Sequence, residues 1–347
     1  MRWAGLAAMC ALAGCGADPS AAQPSGPPEV RYVPAAAALA TTGPTLPVGK
    51  CLNYAGQLEL KQDVPGIRPV VDADFAEMRR RGFRTLRLPA MFDRYANQSP
   101  PFRLDPRFLD RVDHVVRVAT AAGLNVIVDS HYNPQLMKDP AGGAQRFAAI
   151  WDQVAARFAD APPSVWFELL NEPQPPMTAA DLPALLGPAL AAVRRTNPRR
   201  PVIIGGEHWS DLRSLWSVWL PESDPYVVPT FHYYEPMRFT HQGAPFLTPP
   251  FPKGVTWGDK ADLQLLDRHV REVANYIRTT GRVPFIGEYG VYPDVPLAQK
   301  VRWYATVTRA FASVGVQSCV WGYHNNFPIR DDKGWITPLV DAIATTR

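Results

Sequence analysis

The chain has 347 residues, 46% of them apolar and 20% charged, and its 36 basic and 32 acidic residues leave a formal net charge of +4. This is a globular composition, and without a long basic run it sets nucleic acid aside as a partner. The length suits one large domain, since an α/β barrel of about 250 residues or more is a single unit.

In chain order the first element is an export signal. Arg2 precedes a short apolar stretch over residues 3–12, too short to span a bilayer. Leu12-Ala13-Gly14-Cys15 is similar to a bacterial lipoprotein cleavage box. That reading makes residues 1–14 a lipoprotein-type signal peptide and Cys15 the lipidated residue. An ordinary signal is the alternative, because Ala11-Leu12-Ala13 also fits the small-x-small rule. Residues 15–47 are rich in Ala and Pro and read as a semi-extended linker. The expected location is that of an outer-membrane or periplasmic lipoprotein, alternatively a secreted protein. Contact with a membrane is expected only through the lipid anchor, since no later apolar span of 18 residues occurs.

Residues 48–347 repeat a strand, a loop and a helix. Short apolar runs bounded by turn residues predict strands over 48–53, 84–88, 125–129, 165–170, 202–205, 226–231, 283–287 and 316–321. Helical spacing separates them. Phe75 and Met78 share a face, as do Leu109, Val112, Val115, Val116 and Ala119 before Gly123. Phe147, Ile150, Trp151, Val154 and Phe158 mark a third helix, and residues 263–277 a long one ending near Gly281. The alternation predicts an α/β fold, a (β/α)8 TIM barrel forming a single catalytic domain. No G-x-G-x-x-G turn follows the first strand, which argues against a dinucleotide fold.

In such a barrel the site lies at the C-terminal ends of the strands. Two apolar runs end there on a glutamate: one leads into Asn171-Glu172-Pro173, the other into Glu288-Tyr289-Gly290. Carboxylates are costly beside apolar strand ends, so a pair on separate strands calls for a function. Retaining cleavage of a glycosidic bond needs such a pair, one to attack the sugar and one to shuttle the proton. At the separation that mechanism uses, their repulsion is about 3 kcal/mol at an effective dielectric near 20. That repulsion is expected to keep Glu172 protonated while Glu288 is charged. The same rim receives Arg87, His131, Asn171, His232 and Trp321, with Trp209 beyond the fifth strand as a stacking platform. Glu207 and Glu235 lie on neighbouring rim loops, Asp129 and Glu168 read as structural charges on the strands, and Trp151 and Trp303 read as core. Residues 235–258, after the sixth strand, are expected to form one wall of the cleft. Cys51 and Cys319 sit in strand-like runs; an oxidising compartment permits a bridge, but a buried free thiol is the ordinary outcome and the expectation here.

The order of these motifs resembles glycoside hydrolase family 5, the cellulase-type barrels, over roughly residues 48–347. Leu169-Leu170-Asn171-Glu172-Pro173 is similar to the family's acid/base motif and Ile286-Gly287-Glu288-Tyr289-Gly290 to its nucleophile motif. Leu86-Arg87-Leu88-Pro89, Ser130-His131-Tyr132, His232-Tyr233-Tyr234 and Val320-Trp321-Gly322 resemble its arginine strand, third-strand histidine, H-x-Y element and terminal tryptophan. The resemblance implies Glu172 as acid/base and Glu288 as nucleophile. Arg87 and Tyr234 would hold Glu288, Asn171 would bind the sugar 2-OH, and Trp321 would floor the attacked sugar. His131 and His232 would line that subsite or orient the glutamates.

The implied activity is retaining hydrolysis of a β-linked polysaccharide, foremost as an endo-β-1,4-glucanase. A β-mannanase or exo-β-glucanase of the same family is the alternative, and a glycan-binding barrel the non-enzymatic one. The expected partner is β-glucan or a related polysaccharide, acted on by a monomer. The seven histidines show no H-x-H or H-E-x-x-H spacing, so no metal and no cofactor is expected.

Overall fold

The computed structural model describes residues 44–58, 69–131 and 133–343; the predicted export signal, Cys15 and most of the predicted linker lie outside them. Eight parallel strands close into a barrel in chain order. They are β1 (Lys50–Asn53), β2 (Thr85–Ala90), β3 (Asn125–Ser130), β4 (Val165–Glu168), β5 (Val202–Gly205), β6 (Val227–Tyr233), β7 (Phe285–Tyr289) and β8 (Ser318–Val320). Pairing of β1 with β8 closes the ring and sets Cys51 opposite Cys319.

The strands are apolar on both faces because both faces are covered. One cluster, containing Leu52, Leu86, Val126, Phe167 and Ile286, packs outward against the helices. A separate one, containing Cys51, Ile127, Trp166, Ile203, Val228, Phe285 and Cys319, fills the barrel, with Leu46 and Val48 beside it. Adjacent residues such as Cys51 and Leu52, or Phe285 and Ile286, fall in different clusters, as the two-residue period of a strand requires.

The predicted helices form at Ala73–Arg80, Pro106–Ala121, Pro140–Arg157 and Lys260–Thr280. Asp105 caps the second, accepting from Arg107 N with Pro106 at the first position. Asp259 and Asp262 form a reciprocal cap on the longest, and Gly281 ends it at φ 67°. Further helices lie at Leu182–Thr196 and Leu297–Ala312. The alternation lapses once. Between β5 and β6 there is no long helix; a 3₁₀ segment, Leu212–Ser217, follows three residues with positive φ, His208, Trp209 and Ser210.

The expectation of free thiols is wrong: Cys51 and Cys319 form a disulfide. Closure of the ring, which spacing along the chain does not reveal, sets them in register on neighbouring strands.

One irregularity bears on the site. The ladder pairs Phe231 with Ile286 and His232 with Glu288, passing over Gly287. On the other side it pairs Ile286 with Ser318 and Tyr289 with Val320. Strand β7 therefore bulges at Gly287-Glu288. By simple alternation Gly287 would face in and Glu288 out; the bulge re-aims Glu288 into the mouth. A Cβ on Gly287 would stand 2.8 Å from Thr230 Oγ1 and 3.1 Å from His232 Nε2, so the bulge needs glycine there.

Candidate active site

Arg87 is the hub of the mouth, and it is fully buried. Nε and Nη2 donate to Glu168 Oε2 and Oε1 at 2.7 and 2.8 Å. Nη2 also donates to Asn171 Oδ1 at 2.8 Å and lies 3.1 Å from Asp129 Oδ2. Nη1 donates to Asn53 Oδ1 at 2.9 Å and to Glu288 Oε1 at 2.8 Å. A planar fork with five N–H groups suits this task and an ammonium would not. Burial works against the charge of Arg87, but Asp129, Glu168 and Glu288 outweigh it and hold the guanidinium pKa well above its usual value. For Glu168 burial is the first cause, and with Asp129 and Glu288 nearby it outweighs Arg87 and raises the pKa.

Glu288 is held from a second side. The Tyr234 hydroxyl donates to Oε2 at 2.9 Å. Burial and the Glu288 charge push the Tyr234 pKa well above its usual value, so it remains a phenol and a donor.

Glu172 follows β4 in a backbone conformation unusual for a non-glycine residue, φ 46°. Asn171 N donates to Ser130 O, which carries the pairing with β3 past the end of the strand to the glutamate. The Glu172 side chain keeps 26% of its surface open. Burial nevertheless pushes its pKa up to about 7, against the lowering influence of His131 and Arg87. The shift has the direction expected for an acid but a different first cause: desolvation rather than repulsion by Glu288.

His232 Nδ1 lies 2.8 Å from Glu172 Oε1 and 3.7 Å from Glu288 Oε2. Burial lowers its pKa to about 4, so the imidazole is neutral at ordinary pH. Its Nε2 is buried without a partner. The single N–H is therefore assigned to Nδ1, where an acceptor is present. A neutral ring fixes Glu172 without adding a cation that would strip its proton. One ligand atom from each of Glu172, His232 and Glu288 lies within 4.8 Å of the others, close enough to hold a metal ion. All three are already engaged by hydrogen bonds of the acid–base kind.

His131 Nδ1 is 2.6 Å from Asp129 Oδ2, and its ring stacks on Trp321 at 5.5 Å and 11°. Trp209 stands on the rim, 48% exposed, with its backbone N–H donating to Pro173 O beside the Glu172 loop. All the predicted site residues in the barrel thus share one level of the fold. Glu207 and Glu235 are braces: their carboxylates accept from Ala179 N and Met237 N. Trp151 and Trp303 are buried core. Segment 235–258 is pinned by Gln242, whose side chain bonds the backbone of Phe239, Gly254 and Val255. Asn53 was missed, because an asparagine ending an apolar run reads as a turn residue.

A closed (β/α)8 barrel with two close carboxyls in its mouth is the architecture of a glycoside hydrolase. The chain belongs to the family Cellulase (glycosyl hydrolase family 5), whose sequence profile matches residues 66–327. It is 29% identical over 304 residues to Endoglucanase H of Acetivibrio thermocellus, a match covering 85% of this chain and 33% of that protein. The chain thus spans about a third of that relative. A hyperthermophilic endo-β-1,4-glucanase solved with substrate is 32% identical, with a TM-score of 0.81 and coverage of 85% and 96% of the two chains. Thermotoga maritima Cel5A in complex with mannotriose is 28% identical, with a TM-score of 0.82 and coverage of 86% and 97%.

Proposed function

We propose that this protein is an endo-acting β-1,4-glucanase that cleaves its glycan with retention of configuration. The observation that carries the reading is the pairing of Glu172 and Glu288, with carboxyl oxygens within 4.8 Å, the first kept protonated and the second held by Arg87 and Tyr234. A short separation suits direct attack on the sugar and leaves no room for a water between carboxylate and anomeric carbon.

In the first step a Glu288 oxygen bonds to the anomeric carbon. The glycosidic C–O bond breaks, and the leaving oxygen takes the Glu172 proton. Assignment of the His232 N–H to Glu172 Oε1 leaves Oε2 as the oxygen that carries this proton. Esterification removes the charge of Glu288. Glu172, now a carboxylate, takes a proton from water as that water attacks the same carbon, and Glu288 is released. Asn171, with Oδ1 committed to Arg87, keeps its NH₂ to donate to the sugar 2-OH. Trp321, braced by His131, is the floor for the attacked ring.

Mannan is the second reading, favoured by the similarity to a barrel solved with mannotriose. Assay on carboxymethylcellulose, mixed-linkage β-glucan, mannan, xylan and laminarin separates the two, and product lengths separate endo from exo action. Glucan cleavage with the β-anomer first in proton NMR is expected. An α-anomer first would remove Glu288 as nucleophile, and retention on glycan without turnover would make the protein a binding barrel.

Export as a lipoprotein completes the proposal, resting on Leu12 to Cys15 and supported by a disulfide that suits an oxidising compartment. Labelled palmitate should enter the protein in a bacterial host and be lost in Cys15→Ser. A mature N-terminus at Gly14 or Ala17 without lipid would favour the ordinary signal.

A further inference from the structure

Asn53 ends β1 with no exposed surface, and its amide faces two ways. On one side Oδ1 accepts from Arg87 Nη1 at 2.9 Å, the same nitrogen that donates to Glu288 Oε1 at 2.8 Å. On the other, Nδ2 lies 3.0 Å from Gly287 O, 3.2 Å from Val320 O and 3.3 Å from Cys319 O. These carbonyls border the β7 bulge. Gly287 and Glu288 together oppose the single residue Cys319, so the ladder between β7 and β8 is interrupted there. A bulge leaves backbone groups unpaired, and leaving them buried and unpaired is costly. A side chain from β1 fills the gap.

We infer that Asn53 is a positioning residue for the nucleophile, gripping Glu288 at both ends: the carbonyl of the residue before it directly, and its carboxylate through Arg87. The inference rests on Glu288 being the nucleophile. The chemistry requires an asparagine. The position needs a donor for the bulge carbonyls and an acceptor for Arg87 on one short planar group. Aspartate would lack the donor, leucine would lack both, and serine would stop one bond short of the guanidinium.

A merely structural asparagine would satisfy carbonyls and support stability, without influence on the reacting carboxylate. The full chain and its variants can be treated with 2,4-dinitrophenyl 2-deoxy-2-fluoro-β-cellobioside. A Glu288 oxygen bonds to C1 while dinitrophenolate leaves with its electron pair, so no proton from Glu172 is needed. Asn53→Asp is nearly isosteric, but its carboxylate draws Arg87 away and sets a like charge near Glu288. The limiting rate of labelling at pH 6 should slow by about tenfold or more, with half-saturation by the reagent little changed. Asn53→Ser, the variant to use if Asn53→Asp does not fold, should slow labelling by about tenfold well below its melting temperature. A wild-type limiting rate in a folded variant, with only the melting temperature lowered, would overturn the inference. Failure of the wild-type protein to take the label on Glu288, read by peptide mapping, would instead overturn the nucleophile assignment.

Discussion

The barrel interior has two layers built from the same strands, two residues apart. The lower contains Cys51, Ile127, Trp166, Val228 and Phe285. Two residues further along each strand, the upper contains Asn53, Asp129, Glu168, Thr230 and Gly287, with Arg87 inserted from β2. The lower layer carries no charge. The upper one buries a guanidinium among three carboxylates. Apolar packing tolerates exchange at constant volume. A buried charge network fails when one member is removed, because the partner left behind is uncompensated. The mouth should therefore govern turnover at some cost in stability, and the floor should govern stability alone.

The largest test of that division is removal of the carboxyls. Glu288→Ala and Glu172→Ala should each lower kcat/KM on polysaccharide by about 10³-fold or more with circular dichroism unchanged. Azide should restore turnover to Glu288→Ala and yield the glycosyl azide of inverted configuration, since the small anion fits the vacated space. Near-normal turnover by either variant would abolish the distinction between mouth and floor.

The floor has its own test in the disulfide. It spans 268 residues, and closure of so long a loop is worth up to about 5 kcal/mol in the chain-entropy account. Cys51→Ser combined with Cys319→Ser should lower stability by several kcal/mol in denaturant titration. Turnover at 20 °C should stay within about twofold of wild type, since both cysteines belong to the apolar floor. A large loss of turnover in the folded variant would mean that the seam between β1 and β8 reaches the site mechanically.

These two tests also separate what can be read along a chain from what cannot. Buried parallel strands announce themselves as short apolar runs, and both glutamates stand where such runs end, so the barrel and its candidate carboxyl pair are legible. The motifs around Arg87, His131, His232, Tyr234 and Trp321 are legible for the same reason. Features that depend on register between distant strands are not. The bond between Cys51 and Cys319 exists because the ring closes with β8 beside β1. The inward aim of Glu288 depends on a bulge that alternation alone would not suggest. The role of Asn53 follows from both. Likewise a raised Glu172 pKa is legible from a carboxyl pair, whereas its first cause, burial, belongs to the packed mouth.

Arg87→Lys probes the mouth more gently. The charge is kept and the fork lost, so Glu168, Asn171, Asn53 and Glu288 can no longer all be served. Turnover should fall about 100-fold, equivalent to about 2.7 kcal/mol in the barrier. Stability should fall by about 1–3 kcal/mol from the partners left unsatisfied. A loss of stability without a loss of turnover would make Arg87 part of the floor in all but position.

The smallest effect is one of shape in the pH profile. Glu172 must carry its proton to assist departure, and its pKa is raised to about 7. Activity on polysaccharide should therefore be retained below that value and fall as pH rises through it. His232 does not titrate in that range, because burial holds its pKa near 4. An aryl cellobioside whose leaving group needs no proton removes the demand for the acid. With that substrate kcat/KM reports glycosylation alone, so Glu172→Gln should be flat through pH 7. The wild-type protein on polysaccharide should decline about tenfold per unit above it. If the limb persisted in Glu172→Gln, the titrating group would lie elsewhere in the mouth. Glu168, also buried and raised to about 7, would be the next residue to replace.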